Sequence, residues 1–316
     1  KEYNDRFYYL MMDETDIVTG RHLKKIPKAV EEICSVCPKK PSVVMICITC
    51  VDALLGTDME RVCKKAEEQV EIPVRPCYMY ALTREGRKPP MVHVRQSLYS
   101  LLEPGKKKGN VVNFLGFFSP LVDDCELYDL LHSAGIRTIH EISRCRDFEE
   151  YKTMSEANFN LVLHQESRFA AEDFNDRLKI PFIELRRLYQ TDKIQNQYQA
   201  FASVLGVSFE LDKYREAAEQ AIEDFRKVCP DASFAVGECM NGDPFELALA
   251  LLKYGFKVPE IYGTITVENF VYMKQLALLS PETKVFSNME PTMIYYDPAQ
   301  SGVNITIGKD ALYYHQ

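Results

Sequence analysis

Four cysteines, Cys34, Cys37, Cys47 and Cys50, stand in the pattern CxxC-x9-CxxC. As text, that pattern suggests four thiolates around a tetrahedral zinc ion. The neighbouring residues argue against it. Cys47 lies inside the apolar run SVVMICI, which reads as a buried strand, so a core position is expected for it. An extended strand would turn Cys47 and Cys50 to opposite faces, and zinc shared by all four is not expected. Cys50 differs because it follows the strand's carboxyl end, where open α/β sheets bind their ligands. A helix read over Asp58 to Gln69 starts just downstream, and a helix N-terminus favours the thiolate that iron binds. An inert loop thiol is the alternative.

Three further strand ends carry candidate groups. LHQESR (Leu163 to Arg168) sets His164, Gln165, Glu166 and Arg168 where such sheets place ligand groups, with local capping and ion pairs as the rival reading. LGFFSP (Leu115 to Pro120) directs Phe117, Phe118 and Ser119 towards the same kind of cleft. GECMNGDP (Gly237 to Pro244) is a glycine-bearing loop between strand and helix, with Cys239 and Asn241 as its exposed candidates. It lacks G-x-G-x-x-G and a P-loop lysine, so a cleft wall is expected rather than a phosphate cradle. The tyrosine pairs Tyr8-Tyr9, Tyr295-Tyr296 and Tyr313-Tyr314 read as core and interface aromatics. His22, His93 and His132 read as solvated or packed, and no Ser–His–Asp or HExxH pattern occurs, so the catalytic residues stay unassigned.

Short apolar runs alternate with amphipathic stretches throughout, the pattern of βαβ units. The fold expected is α/β, several Rossmann-like open parallel sheets flanked by helices. Three domains are expected: 1–105 as what is left of a first Rossmann-like domain with the cysteine segment, 106–229 as a second with connecting helices, and 230–316 as a third, incomplete one. The loop EPGKKKGN and the pair Cys229-Pro230 mark the divisions. The formal charge of -8 argues against nucleic acid as a partner, because phosphate binding needs clustered Lys and Arg. No apolar run approaches the ~18 residues of a membrane span, so no membrane partner is expected. Ten cysteines without a secretory signal suggest a reducing, cytoplasmic setting. The sequence begins without Met, and both ends look like cuts through a larger protein.

TCVDALLGTDMERVCKKAE (Thr49 to Glu67) resembles the segment of nitrogenase component 1 proteins in which T-C is followed by I/L-G-D-D and a helix. DETDIVTGRHLKKI (Asp13 to Ile26) resembles their D-I-V-F-G-G-x-x-K-L element, at the same distance upstream. VVNFLGFF, AGIRTIHEIS, FNLVLHQES and IPFIEL fall in the order of that family's middle domain, and ASFAVGECMNGDPFELALALLKYGFKV resembles the start of its third. The resemblance covers nearly the whole chain.

The resemblance implies that Cys50 is one of the thiolates holding an iron–sulfur cluster at a subunit interface. It implies a homologous component 1 subunit as partner, in a homo- or hetero-oligomer, and an ATP-dependent iron-protein reductase as electron donor. The implied activity is that of a nitrogenase-like oxidoreductase, passing electrons through the cluster to a substrate or cofactor in the cleft. A non-catalytic metallocluster scaffold or small-molecule binding protein of the same fold is the alternative. Departures from the family pattern matter. Its other cluster cysteines lie N-terminal to the DIV element, outside this sequence, so one thiolate remains where about four are needed and no cluster is expected on this stretch alone. The first acid of G-D-D is Thr57 here, leaving Asp58. The helix matching the molybdenum enzyme's cofactor-ligating segment, KYREAAEQAIEDF, has no cysteine, only the small residues Ala217, Ala218 and Ala221. Dinitrogen reduction is therefore not expected.

Overall fold

The computed structural model describes residues 6–48, 50–79, 89–238, 242–287 and 290–316. Among them, ten strands form three separate sheets of two, four and four strands. The architecture is α/β, as the alternation of apolar runs and amphipathic stretches predicts. Two compact units are distinguished: Lys1–Asn113 with His140–Asn160 and Glu166–Phe182, and Phe114–Ile139 with Leu161–Gln165 and Ile183–Gln316.

The first sheet pairs β1 (Val44–Ile48) with β2 (Val74–Tyr78) in parallel, Val44 opposite Val74 and Ile48 opposite Tyr78. The crossover runs through helices Cys50–Leu55 and Met59–Val70. Asp58 caps the second of these, its carboxylate accepting the Arg61 N–H at 3.1 Å. Helices His22–Val36 and Met59–Val70 cover one face of the sheet. Val30, Cys63, Ala66 and Val70 pack there against Val44, Ile46 and Val74, and Ile26, Met59 and Val62 against Ile46 and Ile48. The even-numbered residues of β1 thus point into the helices.

The second sheet has the order β4-β3-β5-β6, from β3 (Lys108–Leu115), β4 (Thr138–Glu141), β5 (Ala157–Val162) and β6 (Phe182–Glu184). Its central strands carry a buried amide pair, Asn113 Nδ2 donating to Asn160 Oδ1 and to the Met154 carbonyl, both at 2.8 Å. The basic run before it is not all loop: β3 already contains Lys108, and Lys107 donates to the Ser155 carbonyl at 2.7 Å.

The long helical stretch after β6 divides into Thr191–Leu205 and Asp212–Val228, the first ending on Gly206 at φ 71°, a conformation glycine adopts without penalty. The third sheet, β10-β7-β8-β9, is parallel and comprises β7 (Ser233–Val236), β8 (Lys257–Tyr262), β9 (Lys284–Phe286) and β10 (Ile305–Ile307). Its core joins Phe234, Val236, Phe245, Leu249, Val258 and Ile261. Helix Pro244–Lys253 supplies Phe245 and Leu249, with Asp243 accepting the N–H groups of Phe245 and Glu246 at its start.

One expectation fails in the first sheet. Cys47, read as a core residue, is exposed. Strand alternation places it opposite Ile46 and Ile48, away from the two covering helices, and β1 has a strand neighbour on one side only among the described residues. The CSVC motif is not a metal knuckle on tight turns: Cys34 sits in helix His22–Val36 and Cys37 is its C-cap.

Candidate functional site

Cys50 is the first residue of helix Cys50–Leu55 and its thiol is exposed. The strand before it anchors the position, since Ile48 is buried against Ile26, Met59 and Val62. The chain leaves the short helix at Gly56, φ 64°, and the Thr57 N–H closes back on the Asp52 carbonyl at 3.1 Å before Asp58 caps the next helix. Cys50 is therefore held by packing before it and a cap after it.

The DIV element is equally ordered. Asp13 and Asp16 form a capping box at helix Glu14–Val18. Asp16 is buried and ion-paired with Lys25, which holds its carboxyl below the usual aspartate range. His22 is packed as well, its Nδ1 3.2 Å from the Asp16 carbonyl oxygen.

The remaining motif cysteines are placed individually. Cys34 packs beside Val30 and Cys63, and burial raises its thiol pKa. Cys37 lies 3.1 Å from the Tyr8 hydroxyl. Cys47 is the register partner of buried Cys77. Among the described residues no group of three or more His, Cys, Asp or Glu side chains is arranged to hold a metal ion. A multi-iron cluster takes about four thiolates. Cys50 offers one, so the described residues do not complete a cluster site.

A second group forms beyond β3 and β5. The rings of Phe117 and His164 meet edge-to-face at 4.3 Å, and Gly116 passes close to Leu163. Phe118 is half-buried in the same post-β3 segment, and Ser119 and Gln165 are exposed. Arg168 opens helix Arg168–Leu178 and pairs along it with Glu172 at 3.6 Å, the local ion pair that the rival reading of LHQESR named. Glu166 binds the buried Arg95 guanidinium at 2.7 Å. Cys239 and Asn241 lie outside the described residues.

Two buried carboxylates escaped the sequence reading. Glu246 accepts the Tyr189 N–H and the Gln190 side-chain amide, both at 2.8 Å. Glu260 accepts Tyr262 Oη at 3.0 Å, His315 Nε2 at 2.8 Å and the Tyr296 hydroxyl. Burial, with that bond to Glu260, pushes the Tyr296 phenol up to about 12. The signal in each case is a lone acid inside an apolar element, PFELALALL and KVPEIY. Beside Glu260 the tyrosine pairs divide: Tyr296 and Tyr314 pack round Tyr262, whereas Tyr295 and Tyr313 are exposed. No helix among the described residues is long and apolar enough to cross a membrane.

Relatives in Nostoc sp. (strain PCC 7120) and Clostridium pasteurianum, each named nitrogenase iron-molybdenum cofactor biosynthesis protein NifE, are 27% and 25% identical over 62% and 68% of this chain. The chain spans about half of their length, 41% and 46% respectively. The Sinorhizobium fredii protein of the same name is 25% identical over 90% of this chain and 59% of its own. A solved structure titled nitrogenase Cp1 at pH 6.5 superposes with TM-score 0.70 at 18% identity, over 93% of this chain and 70% of that one, which shows a shared fold. The family model of nitrogenase component 1 type oxidoreductases matches residues 1–315, and to that family this chain belongs.

Proposed function

We propose that this protein is a metallocluster scaffold of the nitrogenase component 1 type, holding an iron–sulfur cluster as cargo with Cys50 among its ligands. The observation that carries the reading is the exposed Cys50 thiol at the start of a helix, on a turn fixed by the buried Ile48 and the capping Asp58. Helix Asp212–Val228 supports the scaffold role over dinitrogen reduction, because it contains no cysteine where the family's molybdenum enzyme has its cofactor ligand. The relatives named for cofactor biosynthesis support it as well. The remaining ligands come from outside the described residues, and a homologous component 1 subunit is the proposed partner. Three Rossmann-like domains, divided near residues 105 and 229, are part of this proposal, as are Phe118, Ser119, His164, Gln165, Arg168, Cys239 and Asn241 as candidates for contact with cargo or substrate.

The second reading keeps the cluster but uses it differently, passing electrons from an ATP-dependent iron-protein reductase to a bound substrate. Its support is the same exposed thiol, which suits a cluster near a surface. The two readings part in one experiment. The full-length protein, expressed anaerobically with its homologous subunit, is assayed for iron and acid-labile sulfide, then mixed either with a cluster-free acceptor or with reductase and ATP. A scaffold gives up its iron to the acceptor without ATP. An electron carrier keeps its iron and changes its EPR signal only with reductase and ATP. Protein that holds no iron under these conditions contradicts both.

A further inference from the structure

Cys47 and Cys77 have no part in the proposed function, yet the fold sets them side by side. They are partners in the parallel register of β1 and β2. Ile46, Ile48 and Tyr78 pack with the helices on one face, so Cys47 and Cys77 share the other. Both thiols are free; Cys77 is buried and Cys47 exposed. Burial pushes the Cys77 thiol up to about 11, and the neighbouring Cys47 adds to the rise.

The spacing decides which chemistry suits the pair. Neighbouring strands lie about 4.8 Å apart, and side chains in parallel register keep roughly that separation. A disulfide needs Cβ atoms about 3.5–4.5 Å apart and sulfurs about 2.05 Å apart, a closer approach than side chains in parallel register keep at rest. A metal ion in line between two thiolates spans somewhat less than twice the ~2.3 Å of a tetrahedral zinc–sulfur bond, because two-coordinate bonds are shorter. That span fits the strand spacing with the backbone at rest. Thiolates are the selective ligands of soft closed-shell cations, and two-coordinate geometry suits the monovalent ones.

We propose that Cys47 and Cys77 form a two-coordinate thiolate site for a soft monovalent cation, copper(I) being the type. Binding exchanges two S–H protons for one cation, forming two metal–sulfur bonds with no transfer of electrons. Exposed Cys47 is the point of entry, and Cys77 holds the ion against the sheet. Because two protons leave, apparent affinity rises with pH, by up to about a hundredfold per unit while both thiols are protonated in the free protein.

The test uses the full-length protein, reduced and metal-free, titrated anaerobically with copper(I) against a chromophoric chelator and followed by X-ray absorption. The first equivalent is expected to show two sulfur neighbours and to bind more tightly as pH rises. It should weaken about a hundredfold in Cys47→Ser and in Cys77→Ser and stay within about twofold in Cys37→Ser. Cys47→Ser alters an exposed position, so its result stands even where Cys77→Ser unsettles the fold. Undiminished binding in Cys47→Ser overturns the proposal. So does loss of the first equivalent in Cys50→Ser with Cys47→Ser unaffected, or a Cys47–Cys77 disulfide in protein purified without reductant.

Discussion

The first and third sheets are built from the same kind of sequence and end in opposite conditions. β1 and β2 form a two-stranded parallel pair whose one face lies under two helices, and the other leaves Cys47 exposed. The third sheet has four strands, a core running from Ala232 to Leu276, and a network closed on Glu260. Parallel strands are apolar on both faces because they are ordinarily covered on both. An apolar strand therefore shows that a face is fit for burial; its neighbours decide whether it is buried. In this chain the first sheet carries the exposed Cys47, and the third carries the larger buried core.

Phe245 is fully buried in the third sheet's core. Phe245→Ala should lower unfolding free energy by about 3–5 kcal/mol, read from urea titration; a loss under about 1 kcal/mol would mean that this core is not close-packed. Glu260→Gln should follow at about 2 kcal/mol, since an amide keeps the shape but loses a charged acceptor shared by Tyr262, Tyr296 and His315. Near-wild-type stability would detach that network from the fold.

The buried thiols packed in and on the first sheet make stability depend on pH. Burial raises Cys77 to about 11 and Cys63 to about 12, against 9.0 for an ordinary thiol. The folded protein keeps those protons where the unfolded chain releases them. Their contribution is whole below pH 9 and lost as pH rises towards 11, at up to about 1.4 kcal/mol per unit for each thiol. Cys77→Ala should flatten the stability profile between pH 9 and 11, and an unchanged slope would show that this thiol is solvated. Smallest of all is Cys47→Ala, expected to change stability by less than about 0.5 kcal/mol because the side chain is exposed. A loss above about 1 kcal/mol would return Cys47 to the core.

Much of this was legible in the residues. The run ahead of Thr49 declares a strand, Asp58 declares a helix start, and Gly206 marks where the long helical stretch must break. The exposure of Cys47 was not legible, because SVVMICI is apolar at every strand position after Ser42 and names no outer face. The buried Glu246 was equally hidden: its partners Tyr189 and Gln190 lie 57 and 56 residues away. Candidate groups at strand ends follow from a general rule about open sheets, and Phe117 and His164 meet beyond two such ends. Arg168 shows the rule's limit, since a residue at a helix start also finds a partner one turn along.

We propose that the Cys50 thiol, and not Cys47, is a cluster ligand in the complete protein. Cys50→Ala and Cys47→Ala, made in the full-length chain and purified anaerobically with the homologous subunit, test it through iron per chain. Cys50→Ala is expected to lose most of its iron and its cluster EPR signal while unfolding at the wild-type urea midpoint, and Cys47→Ala to keep its iron. Iron unchanged in Cys50→Ala, or lost instead in Cys47→Ala, contradicts it.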